Sequence, residues 1–206
     1  MVLFLIASCN ADIKTDYYEN GNVKLEYETS DGQINGYWKQ YDSLGQLLEE
    51  AYYEEGKLDG HFISYFSNQN KKEEYWFSKG LLHGTYAKYH KNGKASETGN
   101  YISDTLNGEI STFDSLGNLI TIQTACMGTL CGTYMEYYPN GQLYSSATYG
   151  ANGTFNGPIK IYFQNGKLQE EGMNLNGKVN GKDSEYDSTG NLIKITEYFK
   201  KETREM

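Results

Sequence analysis

A glycine returns at an almost fixed interval along this chain. It stands at Gly36, Gly60, Gly84, Gly108, Gly132, Gly157 and Gly181, with successive spacings of 24, 24, 24, 24, 25 and 24 residues. A period of that size specifies a stack of like units, each needing its neighbours to bury an apolar face. Five residues after each lead glycine comes an aromatic: Tyr41, Tyr65, Tyr89, Phe113, Tyr137, Tyr162 and Tyr186. Nine residues after it a second glycine usually follows, with Gln69 as the exception. One extra residue falls between Tyr149 and Phe155. A degenerate unit precedes the rest: Tyr17, Gly21, Val23 and Ile34 fit the frame, and Asp12 takes the place of the lead glycine.

Each unit holds two short runs rich in Tyr, Phe, Trp, Ile, Leu and Thr, bounded by Asn-Gly, Asp-Gly or similar pairs. Asn and Gly tolerate the positive φ of tight hairpin turns, so these pairs read as hairpin signals. Breakers arrive too often for a stable helix. The expected fold is all-β: an elongated single-layer antiparallel sheet of consecutive β-hairpins, about eight units of 24 residues. The faces stay open. Offsets two and five should lie on opposite faces, yet Trp38 and Tyr41, Phe62 and Tyr65, and Tyr86 and Tyr89 are all aromatic. Either a bulge shifts the phase or both faces carry aromatics.

Only 38% of the residues are hydrophobic, mean hydropathy is −0.69, and Tyr alone supplies 20 residues. That suits a thin, solvated sheet in which Tyr covers area while its hydroxyl stays wet. Net charge is −9, and Arg204 is the sole arginine. Nucleic acid requires Lys/Arg stripes against phosphates, which this chain lacks. Anionic lipid headgroups are disfavoured for the same reason.

Residues 1–10 read MVLFLIASCN. An aliphatic, two small residues and Cys9 resemble a bacterial lipobox, with Cys9 as the lipidated residue and cleavage just before it. The basic n-region is missing and the apolar stretch is short, so a first strand or frayed end is the other reading. The domain plan is therefore a lipoprotein signal remnant at 1–9, a repeat array at 10–199 and a charged tail at 200–206. Cys126 and Cys131 flank an expected turn at 127–130, at a separation a disulfide can bridge. Two free thiols in ordinary strand positions are the alternative.

Chemistry is sparse. The pairs Glu49-Glu50, Glu73-Glu74 and Glu170-Glu171 recur in phase with the repeat, as a solvated face does and a singular active site does not. His61, His83 and His90 occupy different offsets, with no clear partners for a metal. No phosphate-binding glycine loop or nucleophile elbow is present. Neither catalytic residues nor a cofactor nor a metal site is expected. The offset-five aromatics read first as a same-face packing ladder. The second reading is a binding platform built from those seven rings.

Units such as YYPNGQLYSSATY, YFQNGKLQEEG and YHKNGKASETGNY resemble the bacterial variant of the MORN repeat, over about Tyr17 to Phe199. That resemblance implies a single-layer sheet of hairpins used mainly for protein interactions. It supplies no catalytic residues. Eukaryotic relatives are linked to membrane phospholipids, and many bacterial relatives are labelled antitoxins of toxin–antitoxin pairs. The expected function is thus a non-catalytic scaffold for protein–protein interaction on an exported, lipid-anchored envelope protein. The alternative is an antitoxin or immunity protein, with a cytoplasmic location as the corresponding option. The expected partner is a protein, with no nucleic acid and with membrane contact only through the lipid anchor.

Overall fold

The computed structural model describes residues 12–198. They form eighteen strands in hairpin succession, all antiparallel, and no helix. Contacts group them into two compact units, residues 12–93 with 102–104, and residues 94–101 with 105–198.

The first unit holds β1 (Asp12–Tyr17), β2 (Val23–Ser30), β3 (Gln33–Tyr41), β4 (Leu47–Glu54), β5 (Lys57–Tyr65), β6 (Lys71–Ser78) and β7 (Leu81–Tyr89). Each pairs with the next in an open sheet. In the second unit β8 (Ala95–Ile102) pairs with β10 (Gly108–Phe113), whose strand is preceded by the short β9 (Thr105–Leu106). From β10 the order continues through β11 (Leu119–Cys126), β12 (Thr129–Tyr137), β13 (Leu143–Tyr149), β14 (Gly157–Tyr162) and β15 (Leu168–Leu175). β15 then pairs with β16 (Lys178–Val179) and β17 (Gly181–Tyr186), and β17 with β18 (Leu192–Tyr198).

Two kinds of turn alternate. Between β3 and β4, the Asp42 amide donates to the Gln46 carbonyl (2.8 Å) and the Gly45 amide to the Asp42 carbonyl (3.0 Å). The Asp42 carboxylate accepts the Leu44 and Gln46 amides, so the side chain closes the turn from within. Between β4 and β5 the turn is two residues, Glu55 (φ 49°) and Gly56 (φ 76°), both left-handed as a type I′ turn demands. Turns also brace their neighbours: the Asn20 and Asn22 side chains both donate to the Ser43 carbonyl.

The lead glycines correct the expectation that every Asn-Gly or Asp-Gly pair marks a hairpin. Asn140-Gly141 does lie in a turn, with the Gly141 amide bonded to the Tyr138 carbonyl. Asn35-Gly36 and Asp59-Gly60 lie inside strands. Trp38 faces Tyr27 and Ile34 faces Thr29, so three residues of β3 span one residue of β2. This bulge puts Gly36 at φ 119° and Gly60 and Gly84 at φ 116° and 115°. Its cause is also spatial. A Cβ on Gly60 or Gly84 would meet Cβ of Tyr52 at 3.4 Å or of Trp76 at 3.2 Å. A second bulge recurs opposite the offset-five aromatic, where Gln40 faces Glu49 but Tyr41 faces Leu47, leaving Leu48 unopposed.

Neither bulge adds a residue to β3 between Trp38 and Tyr41, since the extra residue of the second bulge, Leu48, lies on β4. The two rings therefore lie on opposite faces, and both faces carry aromatics. On one face the register Trp38–Ala51–Phe62–Tyr75–Tyr86 sets four rings around one small residue. Ala51 is 1% exposed beneath its ringed neighbours, and Tyr75 stacks on Tyr86 at 5.8 Å. In the second unit Tyr134 pairs with Ala147, which is 6% exposed. No large side chain among the described residues is completely buried, as befits a sheet without a second layer.

Candidate functional site

The offset-five aromatics and the glutamate pairs form one network. Tyr65 Oη donates to Glu50 Oε1 (2.6 Å), Tyr89 Oη to Glu74 Oε2 (3.0 Å), and Tyr186 Oη to Glu171 Oε1 (2.9 Å). Each bond spans 15 residues, one unit's second glutamate to the next unit's tyrosine. Phe113 has no hydroxyl, and the position 15 residues before it is Thr98. Tyr137 finds Ile122 at that position and donates to Met135 Sδ instead. Tyr41, Tyr65, Tyr89, Phe113, Tyr137, Tyr162 and Tyr186 are all half-buried. Burial, then the bond to Glu74, pushes the Tyr89 phenol up to about 12. Burial and the Glu50 bond raise Tyr65 likewise. On Glu74, burial pushes the carboxyl up, but the bonds from Lys71 (2.8 Å) and Tyr89 outweigh it and the net shift is downward.

Other aromatics are the exposed ones. Tyr37 is 52% exposed, Tyr52 38% and Trp76 46%. They lie at offsets one and sixteen, together with His61. Tyr37 is register partner of Tyr52, and His61 of Trp76. Both pairs meet edge to face, with centroids 5.4 and 6.1 Å apart. Tyr52 also lies beside Gly60, and Trp76 beside Gly84. The missing side chains of the lead glycines thus make room for this row on β3 to β6. Sequence reasoning passed over it because these offsets are not repeated: Thr85 and Thr133 stand at offset one elsewhere, and Thr124 and Thr148 at offset sixteen. That confinement to two adjacent units was the available signal.

The Cys126 and Cys131 sulfurs are bonded to each other, with Cα atoms 5.8 Å apart. The two residues lie diagonally across the turn at Met127 and Gly128, since Cys126 faces Thr129 and Cys131 faces Thr124. Cys131 also occupies a position with a repeated task. Asn35, Asp59 and Asn107, each just before a lead glycine, accept the amides of Glu55, Lys79 and Met127 in the two-residue turn 20 residues on. Twenty residues after Cys131 the chain builds a longer turn, closed by the Gly150 amide on the Thr154 carbonyl. The extra residue therefore removes the turn that this side chain would cap, and a cysteine is accommodated there. Cys9 lies outside the described residues.

Two recesses among the described residues are small. One of about 90 Å³ is lined by Ile159, Gly172, Met173 and Asp183 among others, and one of about 100 Å³ adjoins Tyr37. Ligand pockets run to roughly 300–1,000 Å³. Among the described residues no group of three or more His, Cys, Asp or Glu is placed to hold a metal, and no helix is long and apolar enough to cross a membrane.

A search among curated proteins gives no match. Among solved structures, the chain is similar to a crystal structure of TcdB2-TccC3-Cdc42 (13% identity, TM-score 0.25, 88% of this chain and 12% of that one). It is also similar to a Tc holotoxin pore of Photorhabdus luminescens (11% identity, TM-score 0.21, 89% of this chain and 13% of that one). The family model described as MORN repeat variant matches residues 34–55, 130–150 and 155–173. These segments cover most of the β3–β4, β12–β13 and β14–β15 hairpins, so three hairpins carry the signature of the MORN repeat variant, a repeat scaffold for binding.

Proposed function

We propose that this chain is a non-catalytic scaffold that binds another protein through the face carrying Tyr37, Tyr52, His61 and Trp76. The observation that carries the reading is the exposure of this row on a regular sheet. Aromatics enriched at protein interfaces supply large, rigid contact area, and isolated exposed rings do not normally align across four strands. The offset-five ladder, with the hydroxyls of Tyr65, Tyr89 and Tyr186 committed to glutamates, serves the scaffold. The reading includes export and anchoring to the bacterial envelope by lipid on Cys9.

Affinity capture from the native cells tests the scaffold. Wild-type protein should retain a reproducible protein partner that a Tyr52→Ala/Trp76→Ala variant of equal thermal stability loses. Equal capture by both would refute the assignment to this face. Metabolic labelling with a palmitate analogue should mark the wild type and not Cys9→Ala. A captured partner that arrests growth alone and is silenced by this chain would make the protein an antitoxin.

A further inference from the structure

The aromatic row has a charged neighbour. On the same face, two residues along each strand, runs the register Glu26–Lys39–Glu50–Ile63–Glu74 across β2 to β6. The three glutamates sit on every second strand, so adjacent carboxylates are roughly 10 Å apart. At the β1 side the aromatic row runs into Glu28, whose carboxylate fills the space over Gly36 and accepts the Tyr37 amide (3.3 Å). There the recess of about 100 Å³ is lined by Ile13, Glu26, Tyr27, Glu28, Tyr37 and Lys39. Two carboxylates and a ring edge thus face one ammonium. Lys71 holds Glu74, which leaves the acidic surplus at Glu26, Glu28 and Glu50.

We infer that this face takes a basic, extended segment of the partner protein, with arginine or lysine side chains spaced to meet Glu26/Glu28 and Glu50. Their aliphatic stems and intervening apolar residues would lie on Tyr37, Tyr52 and Trp76. The inference rests on the scaffold reading and names the chemistry of its partner. Charge selects the occupant. A cation gains from the carboxylates and from the faces of Tyr and Trp rings together, whereas an acidic segment meets a surplus of like charge around Lys39. In a polyproline II segment an arginine at every third residue returns to the same side of the peptide at roughly 9 Å, which matches the carboxylate spacing.

The test uses the full chain and a synthetic dodecapeptide, Arg-Pro-Pro repeated, in isothermal titration calorimetry. The same peptide with Glu in place of Arg, and a neutral cello-oligosaccharide, serve as competitors in parallel. Binding is expected for the arginine peptide alone, falling with added salt. Trp76→Ala, Tyr37→Ser and Glu26→Gln/Glu50→Gln should each weaken it about tenfold or more. Glu73→Gln, on the opposite face, should leave it unchanged. Circular dichroism melting identifies any variant that fails to fold, and the exposed Tyr37→Ser keeps the test decisive if Trp76→Ala does. Absence of binding, equal binding by the face variants and Glu73→Gln, or preference for the oligosaccharide would overturn the inference. If native capture still yields a partner that the arginine peptide cannot displace, the inference falls and the scaffold stands. If capture yields none, the scaffold reading itself falls.

Discussion

Tyr65 and Glu50 are joined across the boundary between two repeats by a hydrogen bond of 2.6 Å from phenol to carboxylate. The same bond recurs at Tyr89 with Glu74 and at Tyr186 with Glu171, and is missing where Phe113 follows Thr98. Bonds to a charged acceptor contribute more than neutral ones, and partial exposure here brings the figure to about 1 kcal/mol. Tyr65→Phe should therefore lower the urea midpoint by that equivalent, and Tyr137→Phe, which gives up only a thioether acceptor, by less. Installing the pair through Thr98→Glu with Phe113→Tyr should show a favourable coupling of about 1 kcal/mol in a double-mutant cycle. A coupling of zero would mean that the hydroxyls decorate the ladder without holding it.

Tyr89 sets a limit at alkaline pH. Its folded phenol is raised to about 12 by burial and by Glu74, whereas an unfolded phenol titrates near its ordinary value of 10.0. Between those values the native state keeps a proton that the unfolded state releases, so stability falls as pH rises. The contribution is complete below pH ~10 and lost through pH ~12. Tyr89→Phe should flatten the stability profile in that window and leave its shape near neutrality unchanged, as read from denaturation midpoints at stepped pH.

Gly84 shows what the lead position requires. Its φ is 115°, and a Cβ would stand 3.2 Å from Cβ of Trp76. Gly84→Ala should cost about 2–3 kcal/mol from backbone strain and crowding together. Gly181→Ala meets nothing within 4 Å at φ 81°. It should cost only about 1–2 kcal/mol, the strain of a left-handed side-chain-bearing residue. Gln69 supplies the converse: it takes φ 65° where other units place glycine. Gln69→Gly should stabilise the protein by up to about 1 kcal/mol, checked by thermal melting.

The period, the strand content and the hairpin order are legible in the chain because each is a local demand on the backbone. Gly45 and the Glu55-Gly56 pair must adopt left-handed φ wherever the strands reverse. The same dipeptide cannot announce whether it turns or bulges. Asn140-Gly141 closes a turn and Asn35-Gly36 sits in a bulge opposite Glu28, a difference set by register with the neighbouring strand. Exposure was misleading for a related reason. Tyr65, Tyr89 and Tyr186 at offset five are drawn in by glutamates one unit away, whereas Tyr52 and Trp76 are left outside beside glycines on the next strand. Repetition identified what the scaffold needs; the candidate site lies in what it does not repeat.

The disulfide offers the sharpest chemical test. Cys126 and Cys131 bracket a two-residue turn, so their cross-link closes a very short loop. Loop-closure entropy for a ring of that size corresponds to about 2 kcal/mol, in a model that assigns the effect to the unfolded chain. Replacing both with serine should therefore lower the denaturation midpoint by about that amount. The β11–β12 register should survive, because it is also held by the pairing of Ala125 with Leu130 and of Gln123 with Tyr134. Peptide mapping of denatured, unreduced protein should find the segment spanning both residues unalkylated, and doubly alkylated after reduction. Alkylation before reduction would show free thiols. A stability unchanged on reduction would show that the turn is already held by Met127 and Gly128 at φ 49° and 83° and by the Asn107 cap.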